Sequence, residues 1–99
     1  MIDKASAIET ILRKLRKLPV GKGLDLRTYK RDRSVVILRK TDDLFSVRQD
    51  GFTKDTFSTD FKGLKKLLKK LLKQEFPRSN KVRVYEVSEE GGVGHEVGG

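Results

Sequence analysis

Two leucine-rich segments with helical spacing, one at each side of a run of short β-type segments, predict an α+β fold. The expected order is a helix, three or four antiparallel strands, a second helix and a final strand, with both helices packed on one sheet face. Two apolar stripes need a shared apolar surface, and one face of a sheet supplies it. The length of 99 residues fits one domain with a single modest core.

The first helix is expected from about Asp3 or Ser6 to Leu18. Ile8, Ile11, Leu12, Leu15 and Leu18 recur at helical spacing, and Ser6 with Glu9 forms an S-x-x-E capping box. A start at Asp3 adds Ala5 to the buried stripe. Pro19, Gly21 and Gly23 end the helix.

Two strands follow, Leu24 to Lys30 and Ser34 to Lys40, joined by Arg31, Asp32 and Arg33. Leu24 and Leu26 alternate with Asp25 and Arg27, the pattern of a strand with one wet face. Val35, Val36, Ile37 and Leu38 are apolar in succession, which places the second strand centrally. After the turn at Thr41, Asp42 and Asp43, Leu44 to Gln49 reads as a third strand. Asp50 and Gly51 then signal a hairpin to a strand at Phe52 to Phe57. A two-residue turn would set Val47 opposite Lys54, a poor match, so a longer or bulged loop is expected there.

The segment Phe61 to Phe76, FKGLKKLLKKLLKQEF, is the second helix. At about 100° per residue, Leu64, Leu67, Leu68, Leu71 and Leu72 cluster on one side. Lys62, Lys65, Lys66, Lys69, Lys70 and Lys73 occupy a separate arc. Ser58, Thr59 or Asp60 can cap its start, and Pro77 stops it. Lys81 to Val87 alternates Val82 and Val84 against Arg83 and Tyr85, a last strand. Residues 1–88 are thus read as one domain and residues 89–99 as a disordered glycine-rich tail, because SEEGGVGHEVGG has too little apolar content to pack.

The chain carries a formal charge of +9, which favours polyanions or acidic surfaces by long-range attraction. The charge is uneven. Residues 1–40 hold twelve Lys and Arg against four acids and residues 61–83 hold nine against one, while residues 41–60 hold two against five. The lysine arc of the second helix is therefore the first candidate site, for phosphate contact along a nucleic-acid backbone. Arg27, Arg31 and Arg83 can extend it, and Tyr85, on the same strand face as Arg83, is the best candidate for base stacking. Tyr29 and Phe52 are lesser aromatic candidates.

No catalytic role is expected. Cysteine is absent and His95 is the only histidine, which removes thiolate chemistry and a conventional zinc site. Asp42, Asp43, Asp50, Asp55 and Asp60 stand where turn and cap chemistry already accounts for them. No cofactor or metal is expected. With no signal-peptide pattern and no apolar run near the roughly 20 residues of a membrane span, the expected setting is cytoplasmic.

The order helix, three strands, helix across residues 3–76 is similar to double-stranded RNA-binding domains and to the Alu-binding proteins of the signal recognition particle. The resemblance implies RNA contact, in the former family partly through lysines at the start of the last helix, where Lys62, Lys65 and Lys66 stand here. The final strand is additional to that pattern. The expected partner is RNA or DNA backbone. The alternative is a structural or protein-interaction module whose lysine face is solvated or meets an acidic protein surface.

Overall fold

The leucine and valine patterns resolve, in a computed structural model that describes residues 2–28, 33–51, 54–76, 81–88 and 93–96, into two helices and an antiparallel sheet. In chain order these are β1 (Ile2–Asp3), α1 (Lys4–Lys17), β2 (Lys22–Arg27), β3 (Ser34–Arg39) and β4 (Phe45–Asp50). They continue with β5 (Lys54–Thr59), α2 (Phe61–Glu75), β6 (Lys81–Ser88) and β7 (Val93–Glu96).

Five strands of six to eight residues form the body of the sheet in the order β6-β2-β3-β4-β5. The last long strand in sequence thus sits beside the first, with Leu26 opposite Val84 and Arg27 opposite Arg83. Two short strands complete the β6 side. β1 pairs with its start and β7 with its later half, across an irregularity between Tyr85 and Val87. The second of these lies where composition predicts a tail. An edge strand is held by backbone hydrogen bonds, so low apolar content does not prevent residues 93–96 from pairing.

Both helices contact the sheet and each other. Ala7, Ile11 and Leu15 from α1 and Leu64, Leu68, Leu71 and Leu72 from α2 join one cluster with alternate strand residues, among them Leu24, Leu26, Val35, Ile37, Val47, Val82 and Val84. Burying the four α2 leucines contributes on the order of 8 kcal/mol before chain entropy is subtracted. Leu67, expected in that buried set, is only half-buried against its margin.

Several boundaries differ from expectation for identifiable reasons. Of the two starts expected for α1, the structure takes the earlier, with Asp3 as the N-cap residue and Lys4 the first helical one. Asp3 is held from outside the helix by β1 pairing and by an ion pair with Lys81, while the Ser6 hydroxyl donates back to the Asp3 carbonyl at 3.4 Å. Strand β5 runs over Lys54–Thr59, two residues past the expected end at Phe57, with Lys54 paired to Asp50, while Phe52 and Thr53 of the expected strand lie outside the described residues. That spacing sets Phe57 opposite Val47, the apolar match that a two-residue turn would have denied. A fourth strand between α1 and α2 also departs from the element order of the double-stranded RNA-binding domain.

Both helix C-termini are closed by arginines from the two ends of β3. Arg39 donates to the Leu18 carbonyl at 2.8 Å and the Arg16 carbonyl at 3.2 Å at the end of α1, and to the Asp42 carbonyl at 2.9 Å. Arg33 donates to the Glu75 carbonyl at 3.0 Å at the end of α2. Terminal carbonyls lack intrahelical partners and carry the negative end of the dipole, so a guanidinium satisfies both needs.

Candidate nucleic-acid interface

Helix α2 starts at Asp60, whose carboxylate accepts from the Gly63 amide at 2.8 Å, a side-chain cap that fixes the helical phase from its first turn. From there the sequence spacing carries Lys62, Lys65, Lys66, Lys69, Lys70 and Lys73 to the outside, and all six are exposed. Among the described residues none of them is held in an ion pair. Each has another of the six three or four residues away, so the row repels itself along its length.

The exposed face of α1 adds to this charge. Arg13, Arg16 and Lys17 are exposed, and Lys14 is half-buried. The Arg16 guanidinium lies 4.6 Å from the centre of the Phe61 ring, which brings the end of α1 onto the beginning of α2. Lys65 follows Phe61 by one turn. Arg16 is thus the α1 cation that stands beside the first turn of α2. Arg13, Arg16 and Lys17 escape a reading that looks only for lysine density, although the same helical spacing that buries Ile11 and Leu15 turns them outward.

The other candidate residues are on the opposite side of the sheet. Leu24 and Leu26 face the helices, so Asp25 between them and Arg27 after them face away, together with their cross-strand partners Tyr85 and Arg83. Asp25 is buried and binds the half-buried Arg27 through a hydrogen bond of 3.0 Å and an ion pair of 2.9 Å. Arg27 also stands 5.8 Å from the Tyr85 ring centre. The Asp25 hydrogen bond, followed by its charge, raises the Arg27 pKa above its ordinary value against the opposing effect of burial. Arg27, Arg83 and Tyr85 are thus not continuous with the lysine row, because the sheet separates them. Arg31, Tyr29 and Phe52 lie outside the described residues.

Among the described residues no three His, Cys, Asp or Glu side chains gather where they can hold a metal ion. No described helix is long and apolar enough to cross a membrane. Compared with protein-family models, curated proteins and solved structures, the chain matches none.

Proposed function

We propose that this is a non-enzymatic cytoplasmic domain that binds the phosphate backbone of nucleic acid through α2 and the adjoining cations of α1. The observation that carries this reading is the self-repelling lysine row. A face selected only for solubility gains from glutamates interspersed with lysines, each such pair giving about 0.2 to 0.5 kcal/mol, yet no acid interrupts Lys62 to Lys73. A phosphate backbone relieves that repulsion. The row extends about 16 Å, enough to meet several phosphates.

A duplex fits better than a single strand. Single-strand recognition uses exposed aromatic rings beside the cations, whereas among the described residues Phe61 is half-buried beneath Arg16 and Tyr85 is on the far side of the sheet. Contacts restricted to phosphates carry no base specificity. Titrating binding of unrelated duplexes with salt tests the reading: four to six phosphate contacts imply a log-log slope of about −4 to −5. Absence of binding even at low salt leaves the solvated interaction module as the better description.

A further inference from the structure

Helix α2 runs unbroken from Phe61 to Glu75, so helical geometry fixes where its lysines stand round the axis. Residues four apart advance by about 40° round the axis and about 6 Å along it. Lys62, Lys66 and Lys70 therefore form one ridge, and Lys65, Lys69 and Lys73 form a second that runs parallel to it, all six exposed. At equal height the two ridges are about 90° apart. The direction midway between them points away from the sheet, nearly opposite the buried Leu64, Leu68 and Leu71. The second ridge is on the α1 side, because Lys65 stands one turn beyond Phe61, whose ring meets Arg16.

An extended lysine carries its Nζ to about 8 Å from the helix axis, so the ridges offer two lines of charge about 11 Å apart. A single line of phosphates can engage only one of them. Two lines at this spacing match the strands that border the major groove of B-form DNA, which is about 12 Å wide and admits an α-helix, whereas its minor groove is only about 6 Å wide. A-form RNA offers no such seat. Its major groove is deep and narrow, and its minor groove is too shallow for a helix to sink between the flanking phosphates. The arc of α2 between the ridges carries only lysine, which donates and cannot accept, and the floor of the B-form major groove presents the acceptors N7 and O6 of guanine, N7 of adenine and O4 of thymine. On the α1 side the bordering strand meets the exposed Arg13, Arg16 and Lys17. Given phosphate binding by this face, on which the inference rests, we infer that α2 seats in the major groove of B-form DNA, with Lys62, Lys66 and Lys70 on one phosphate strand and Lys65, Lys69 and Lys73 on the other.

The probes are a DNA duplex of about two helical turns that contains an A·T tract, and the RNA duplex of the same sequence, each titrated with the whole chain at equal salt. The DNA is expected to bind at least about tenfold more tightly, because on RNA only one ridge reaches phosphate and three contacts are lost. Replacing Lys62, Lys66 and Lys70 together with glutamine, or Lys65, Lys69 and Lys73 together, is expected to lower the salt slope on DNA by about 3 units in each case. Far-UV circular dichroism should be unchanged in both variants, since all six positions are exposed. Glucosyl groups on 5-hydroxymethylcytosine, which fill the major groove, are expected to weaken binding at least about tenfold, and netropsin in the minor groove to leave it unchanged. Equal affinity for RNA and DNA, displacement by netropsin, or a slope lowered by only one of the two variants would overturn the major-groove seat while leaving phosphate binding in place. No binding of either duplex at low salt overturns phosphate binding itself, and the seat with it.

Discussion

Gly23 and Gly21 stand two residues apart and are glycines for different reasons. A Cβ on Gly23 would collide with the Ile37 carbonyl oxygen and come within 2.8 Å of the Leu38 Cα, both backbone atoms of the neighbouring strand. Gly21 has open space around it but a φ of +90°, in the turn closed by the Lys22 amide and the Pro19 carbonyl. Gly23→Ala is therefore expected to cost about 2 to 3 kcal/mol through overpacking, and Gly21→Ala about 1 to 2 kcal/mol through backbone strain. Urea midpoints of the two variants check the order. If Gly23→Ala proves the milder, the close approach of β2 to β3 is misplaced. Arg39 illustrates a role that composition hides. It reads as one more cation near the first hairpin, yet three of its bonds go to backbone carbonyls and its guanidinium stands 5.8 Å from the Phe45 ring centre. Arg39→Ala should destabilise by about 2 kcal/mol, since charged donors bind carbonyls more strongly than neutral ones, and thermal unfolding should show it without loss of duplex affinity.

Helix α2 carries both the core and the proposed binding face, on opposite sides of one cylinder, so the two can be altered separately. Replacing Lys65, Lys66 and Lys69 with glutamine keeps helix propensity and leaves the buried stripe intact. Stability should change by less than about 0.5 kcal/mol, while the salt slope on duplex DNA should fall by about 3 units if each lysine meets a phosphate. Full affinity in this variant would remove α2 from the interface. Leu68 is fully buried, and Leu68→Ala should cost about 2 to 5 kcal/mol. A harmless Leu68→Ala would contradict the packing of α2 on the sheet. The leucine and lysine arcs were legible in the sequence because helical geometry relates residues three and four apart without reference to the rest of the chain. The half-burial of Leu67 was not legible, because it depends on where α2 lies over β4 and β5.

On the scale of the whole molecule, the sheet acts as a partition. The lysine row and the exposed α1 cations share the helical layer, and Arg27, Arg83 and Tyr85 share the other face. If duplex binding belongs to the helical layer, Tyr85→Leu should leave duplex affinity within about twofold, because no aromatic stacking takes part in a phosphate-only contact. Fluorescence anisotropy at one fixed salt concentration measures this, and a tenfold loss, about 1.4 kcal/mol, would relocate the interface to the sheet.

Local periodicity by itself determined the helical stripes, the lysine arc and the inward and outward alternation of Val82 to Tyr85, because each depends on residues a few positions apart, and it narrowed the α2 cap to Ser58, Thr59 or Asp60, of which the structure takes Asp60. Only the tertiary structure decided that β6 lies beside β2, that β1 and β7 pair with β6 while β5 pairs only with β4 among the described residues, and that Arg33 and Arg39 close the helix ends. Those outcomes join segments tens of residues apart. Their selection rests on the pairing of strand edges and the filling of a common core, and neither has a signature in the spacing of neighbouring residues.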